Sequence, residues 1–349
     1  MASSAFPVLL DCARAIEVGD LKLADSLLGS SSSRAYGLHP DFAYFKLQTT
    51  PPLYLRYWDG IDEGSIDDAI NNTVMGKKRV HLIDFRIPHL YYTEDLFDLL
   101  TDAFDDLISV RVSVILPPSL KKFVNVQEEK DYITEAVAQY KFKLEKFEVV
   151  YANSLEEVGE SMLDFRRTED EAVVVFYFFK LSMLLREAGI LERELLKLRN
   201  INPDFVIIKE YAANHNHSDF IRRFEDSFQH YSHVFGLGLD NKEENCLRRH
   251  INNIVGCEGR DRIVRHHTLD QWRSHLETNG FFPFPLKMDQ ISRLSDCYRE
   301  DNGCLVRIEE NCPLYFTSAW KLKDGEHHFN PIGNNFVQGF QIKSIGCFG

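Results

Sequence analysis

The chain has 349 residues, 44% hydrophobic and 27% charged, which gives it the length and apolar content for a large buried core. Its 40 Lys and Arg stand against 53 Asp and Glu, a formal net charge of −13 that repels phosphate and excludes an autonomous DNA binder with a broad basic footprint. Seven cysteines without a CxxC pair predict reduced thiols in an intracellular compartment, and no stretch reaches the roughly 18 apolar residues of a membrane span.

At the N-terminus, Leu9, Leu10, Ala13, Ile16, Leu21, Leu23, Ala24, Leu27 and Leu28 recur at helical spacing. Gly19-Asp20 interrupts them, so two helices joined at a turn are predicted, either a cap on the main domain or half of an interface. Residues 34–64, rich in Tyr, Pro and Gly, read as an irregular connection. From Arg79 the texture changes to strands at 79–85, 109–116, 147–152, 172–179 and 204–211, with helices filling the gaps. In the first gap Thr93 caps a helix whose stripe is Leu96, Phe97, Leu100, Ala103, Phe104 and Leu107. Strands apolar on both faces and separated by helices predict an α/β fold, a Rossmann-like, doubly wound, mostly parallel sheet. Residues 281–286, 304–309 and 314–322 read as late strands, the last two an antiparallel hairpin at the sheet edge. Leu181, Leu184, Ala188, Leu191, Leu195 and Leu198 form a stripe that predicts sheet-covering helices rather than a coiled-coil seam.

Such a sheet raises the question of a nucleotide or S-adenosylmethionine site at its carboxyl end. That chemistry needs glycines after the first strand and an acid at the end of the second. Instead Asp84 is followed by Phe85, Arg86, Ile87, Pro88, His89, Leu90, Tyr91 and Tyr92, and the second strand ends Leu116-Pro117-Pro118. Asp84 could serve as a base or ribose ligand, but capping the next helix or pairing with Arg86 fits it better. Glu210 and His215 could form an acid/base pair at the end of the fifth strand, although Asn214 and Asn216 around the histidine point to a hydrogen-bonded turn. Neither Cys304 with Cys312 nor His215 with His217 has zinc-site spacing, and nucleophile-elbow and P-loop patterns are absent. No catalytic, cofactor or metal residue is expected.

Four blocks in order resemble one family. Leu9 to Ile16 with Gly19-Asp20 resembles the start of a first leucine-rich region, and Val80-His81-Leu82-Ile83-Asp84 resembles a VHIID motif. Pro203, Asn214-His215-Asn216, Arg223, Tyr231 and Glu258 resemble a PFYRE region. Arg265, His266, Trp272, Gly280-Phe281 and Ser318-Ala319-Trp320 resemble a SAW motif. Together they resemble the GRAS family of plant transcriptional regulators, scarecrow-like proteins among them. The resemblance implies a methyltransferase-like Rossmann core with an N-terminal helical cap, no cofactor, and nuclear work as a non-catalytic co-regulator, with cytoplasmic residence also open. Implied partners are other GRAS proteins, as homo- or heterodimers, and zinc-finger transcription factors that hold the DNA. The alternative is a methyltransferase-like enzyme or small-molecule binder.

The expected domain covers residues 1–323, a shortened cap over 1–75 and the core over 76–323, followed by a tail at 324–349 that is either disordered or the product of an altered gene structure. Two departures put partner choice in question: His89-Leu90-Tyr91-Tyr92 replaces the usual segment after VHIID, and the second leucine-rich region, near 119–165, has few leucines at heptad spacing. Lys77-Lys78-Arg79, a short basic import signal, leads straight into a buried strand. Physically, Val80, Leu82 and Phe85 should be buried strand residues. Arg265, Trp272 and Trp320 should pack together, the arginine over an aromatic face or paired with an acid.

Overall fold

The computed structural model of the chain describes residues 2–28, 66, 76–85, 107–235, 241–286, 298–309 and 312–322. The expected connection at 34–64, the helix from Thr93, the His89–Tyr92 segment and the tail at 324–349 lie outside the described residues.

Among the described residues nine strands form one sheet: β1 (Arg79–Asp84), β2 (Ser109–Leu116), β3 (Lys143–Tyr151), β4 (Glu171–Phe178), β5 (Phe205–Tyr211), β6 (Phe281–Phe284), β7 (Tyr298–Asp301), β8 (Cys304–Glu309) and β9 (Cys312–Leu322). Their order is β3-β2-β1-β4-β5-β9-β8-β7, with β6 also paired to β9. From β3 to β5 all neighbours are parallel. Beyond β5 they are antiparallel. This is the expected doubly wound α/β sheet with a mixed end.

Period-two alternation decides the two faces. Along β4, Ala172, Val174, Phe176 and Phe178 join one apolar cluster, while Val173, Val175 and Tyr177 join the other. The first cluster is closed by Ile133 and Val137 of α3 (Val126–Val137), Tyr231 and Val234 of α6 (Phe220–Phe235), and Leu247 and Ile254 of α7 (Asn241–Gly256). Leu181 and Leu184 of α4 (Leu181–Leu184), Leu191, Leu195 and Leu198 of α5 (Ile190–Ile201), and Trp272 and Leu276 of α8 (Leu269–Thr278) close the second. The leucine stripe therefore covers the sheet, as its spacing suggested. Ahead of the core, α1 (Ala2–Glu17) and α2 (Leu21–Leu28) meet at Gly19, whose φ of +79° suits the turn, and Asp20 caps α2 by accepting the Leu23 N–H at 3.0 Å. This hairpin rests on α6.

Three details differ from the expectation. No helix fills the gap between β3 and β4; an irregular segment lays Leu155, Val158 and Leu163 onto the sheet instead, its backbone held where Glu194 accepts the Glu156 N–H at 2.9 Å. The β8–β9 hairpin is not at the edge, because β9 inserts beside β5, pairing Ile207 with Ala319 and Ile208 with Ser318. The edge belongs to β7, joined to β8 through Asn302-Gly303 with φ of +49° and +81°.

Candidate functional site

Where a Rossmann-like sheet would receive a ligand, at the carboxyl ends of β1 and β4, this chain places its own side chains. Phe85 stacks on Tyr177 with ring centroids 4.6 Å apart, and the buried Lys180 ammonium lies 5.6 Å from the Phe85 centroid. Lys180 reaches that position because Phe179 takes a φ of +54°, a left-handed conformation costing an aromatic residue on the order of 1 kcal/mol. The strain is offset by a 2.7 Å hydrogen bond from the Phe179 N–H to the Lys209 carbonyl and by packing of the Phe179 ring on Tyr211 at 4.8 Å. Beneath, the Tyr177 hydroxyl donates to Glu194 at 2.8 Å, and Glu210 accepts the Ser182 N–H at 3.1 Å.

Burial dominates the electrostatics here. It lowers Lys180 to about 8 against the pull of Glu194, Glu157 and Glu210, and raises Glu210 to about 8 against its backbone hydrogen bonds. At neutral pH Glu210 is therefore mostly a protonated acid whose Oε1 is already held by backbone. Asp84 is fully buried at the end of β1. Glu210 and His215 do not form the acid/base pair weighed above: Glu210 faces Ser182 and α4, whereas His215 stacks on Tyr231 of α6 on the opposite face.

The turn after β5 is where motif residues meet across long stretches of sequence. His215 donates its backbone N–H to the His266 carbonyl at 3.1 Å, and the two rings share a 2.8 Å Nδ1–Nδ1 hydrogen bond, which requires one donor and one acceptor ring. His215 and Tyr231 stack at 5.5 Å, His230 meets His215 edge-on at 5.3 Å, and His266 tilts over Tyr211 at 4.2 Å. Burial, reinforced by neighbouring histidines, pushes His215 and His266 well below the ordinary imidazole range. Asn214 bonds His217 at 2.7 Å, and Asn216 bonds both His267 at 2.9 Å and Arg265 at 2.8 Å.

Arginines tie the same turn to the following loop. Arg223, fully buried on α6, donates to the carbonyls of His217, Ser218 and Ile254 and to the carboxylate of Glu258. Arg265 is spent on the carbonyls of Arg262 and Gly259 and on Asn216, in place of the expected aromatic face or paired acid. Trp272 and Trp320 do share one cluster.

The late motif has a plain physical reading. Ser318 and Trp320 face the same side of β9; the Trp320 indole N–H donates to Ser318 Oγ at 2.9 Å, and Ser318 in turn donates to the Ile208 carbonyl at 3.4 Å. Ala319 points to the other face, opposite Ile207 and Phe284. Gly280 ends α8 with a φ of +86°, so its requirement is conformational. Thr268 starts that helix in a reciprocal capping box with Gln271. Thr268→Ala should therefore lower stability by about 1 kcal/mol, read as a shifted urea midpoint at unchanged slope.

In the first motif, Val80 and Ile83 are fully buried on opposite faces, and Leu82 and Phe85 are buried as expected. His81 is buried within the sheet, bonding Ser113 at 2.8 Å, which donates to Glu148 at 3.1 Å. Pro203 is buried after Asn202, whose φ of +54° closes α5.

The GRAS domain family matches residues 65–321 of this chain. The chain belongs to the GRAS family. That makes it a member of a family of plant transcriptional regulators. DELLA protein GAI1 of Vitis vinifera is 31% identical over 90% of this chain and 61% of its own length. DELLA protein 2 of Medicago truncatula is 29% identical over 90% of this chain and 66% of its own. This GRAS chain thus spans under two thirds of the length of these curated relatives. The crystal structure of SCL7 from Oryza sativa, 20% identical, superposes with a TM-score of 0.67 over 91% of this chain and 99% of that one, which shows the shared fold.

The GRAS motif residues anticipated from sequence thus sit in two places. Asn214, His215, Asn216, Tyr231, Glu258 and Arg265 gather at the turn after β5, while Val80, His81, Ile83, Trp272, Ser318, Ala319 and Trp320 lie in the sheet and its core. Lys180, Glu194, Tyr177, His230 and Arg262 had not been singled out. The cue for Lys180 was a charged residue inside an otherwise apolar run, Phe176 to Leu185. Among the described residues Cys12, Cys257, Cys304 and Cys312 are in no disulfide, Cys304 opening β8 and Cys312 opening β9, and no group of His, Cys, Asp or Glu is arranged to hold a metal.

Proposed function

We propose that this GRAS chain is a non-catalytic nuclear co-regulator of transcription that binds other GRAS proteins and zinc-finger factors and reaches DNA through them. The supporting observation lies at the carboxyl end of the sheet, where Phe85 stacks on Tyr177 and Lys180 lies over the Phe85 ring, bulky side chains in place of the glycines a nucleotide cofactor approaches. The net charge of −13 favours a partner, rather than this chain, as the DNA-contacting component. Of the basic run at 77–79, Lys77 donates to the Glu169 carbonyl at 2.6 Å and Arg79 pairs with Glu145 at 3.4 Å, so nuclear entry in company with a partner suits it better than import through that run. Among the described residues no helix is long and apolar enough to cross a membrane.

Capture on the full chain from plant nuclear extract is expected to retrieve a GRAS protein or a zinc-finger factor. Recovery of neither from expressing tissue overturns the reading. The enzyme alternative makes the opposite prediction for S-adenosylmethionine: calorimetric titration should give no micromolar binding isotherm, and a clean one would restore a methyltransferase-like role.

A further inference from the structure

The loop that follows α7 concentrates positive charge in an acidic chain. Arg262 and Arg265 are buried in it, Arg223 of α6 is buried against it, the three are close enough for their charges to oppose one another, and Glu258 is the carboxylate whose charge reaches Arg262 and Arg265. Glu258 is itself bound to Arg223. Three guanidiniums thus face one carboxylate.

The three arginines differ in what they have left to donate. Every nitrogen of Arg223 and of Arg265 has a protein acceptor: four carbonyl and carboxylate partners for the first, two carbonyls and Asn216 for the second. Arg262 uses only Nη1, which donates to the His217 carbonyl at 2.8 Å. Its Nε is buried without an acceptor, and the residue as a whole is 4% exposed. Nε and Nη2 form the side-on edge of a guanidinium, the pair of parallel N–H groups that grips two oxygens of a carboxylate or phosphate. A buried donor left without an acceptor costs on the order of 1–3 kcal/mol, so the protein holds this edge at a cost that a bound acceptor would recover.

We infer that the Nε/Nη2 edge of Arg262, flanked by Arg223 and Arg265, is a binding site for a single oxyanion, a phosphate monoester or a carboxylate. The surplus of guanidinium over carboxylate supplies the attraction, and the fixed position of Arg262 between the His217 carbonyl and Arg265 supplies orientation. The overall charge of −13 works against a polyanion such as a nucleic-acid backbone, which leaves an anion of one group as the ligand that fits. The site is defined by its own donors and holds whether or not the chain acts as a co-regulator.

The test is a titration of the full-length, ¹⁵N-labelled chain with inorganic phosphate, and separately with acetate, at constant ionic strength, following the arginine Nε–Hε resonances and the melting temperature. The expected result is a saturable shift of the Arg262 Nε–Hε resonance, with a rise in melting temperature along the same isotherm. Arg262→Lys, which keeps the charge but removes the edge, should weaken binding at least tenfold. A response to phosphate alone assigns a phosphate monoester, and a response to acetate as well assigns a carboxylate. No saturable response to either anion, or an isotherm unchanged in Arg262→Lys, overturns the site. Should Arg262→Lys fail to fold, Glu258→Gln decides: removal of the competing carboxylate should tighten phosphate binding several-fold, and unchanged affinity refutes the proposal.

Discussion

Replacing Trp320 by alanine should lower the free energy of unfolding by about 3–5 kcal/mol, a large share of the roughly 5–15 kcal/mol that holds a domain together. Trp320 is fully buried in the cluster shared with Val206, Ile208, Trp272 and Phe281, so truncation removes a large apolar surface and leaves a cavity bounded by rigid strands. Those strands cannot collapse into it, because β9 is held by β5 on one side and by β6 on the other at the Trp320 position. The indole N–H adds a hydrogen bond to Ser318, which is anchored to the Ile208 carbonyl. Trp320→Phe should retain most of the apolar burial and lose about 1–2 kcal/mol. Urea unfolding of both variants checks the pair, and a loss below about 1 kcal/mol for alanine would show that β9 does not lock the mixed end of the sheet.

The chain should also lose stability steeply on mild acidification. His81, His215, His230 and His266 are buried, and burial depresses all four, His81 to about 3 with help from Arg111 and Lys146, His230 to about 4, and the other two well below the ordinary value. A folded-state pKa below the unfolded one means that the unfolded chain takes up a proton near pH 6.5 while the folded chain does not. The histidines' contribution is therefore full above pH 6.5 and falls as the pH drops towards the folded values, by up to about 1.4 kcal/mol per pH unit for each histidine. Glu210, raised to about 8, and Glu194, raised by burial, act in the opposite sense, because the folded chain binds their protons first. His250 and His267, also lowered by burial to about 4, join the loss, so the histidines outweigh the two acids and stability falls between about pH 6 and pH 4.5. The urea midpoint at pH 5 should lie below that at pH 6. A midpoint that stays constant down to pH 5 would mean the histidines are not buried neutral.

Much of the sheet could be read directly. Strands β1, β2, β4 and β5 fall within a residue or two of their expected spans because runs such as Ala172–Phe178 are apolar at every position, the mark of a parallel strand covered on both faces. The missed strand β7 had a signal of its own: Asn302-Gly303, followed by an apolar run, is the dipeptide that builds a tight hairpin, and both residues adopt the positive φ it demands. The missing helix between β3 and β4 reflects composition, since Asn153, Gly159 and closely spaced acids suit turns better than a periodic stripe. In the site, the turn made by Asn214 and Asn216 was legible from the residues themselves, but its partners were not.

Apolar alternation along the chain was sufficient for the α/β class, the parallel half of the sheet and the helices that cover it, and motif order was sufficient for the GRAS family. Only the tertiary structure decided that β9 enters between β5 and β8, that His215 meets His266 across 51 residues of chain, and that Arg265 is spent on carbonyls while Arg262 keeps an edge unfilled. The division has a physical cause. Period and propensity act over a few residues and report which side of an element is apolar, whereas a hydrogen-bond partner distant in sequence is selected by strand register and by which buried polar groups remain to be satisfied once the core has closed.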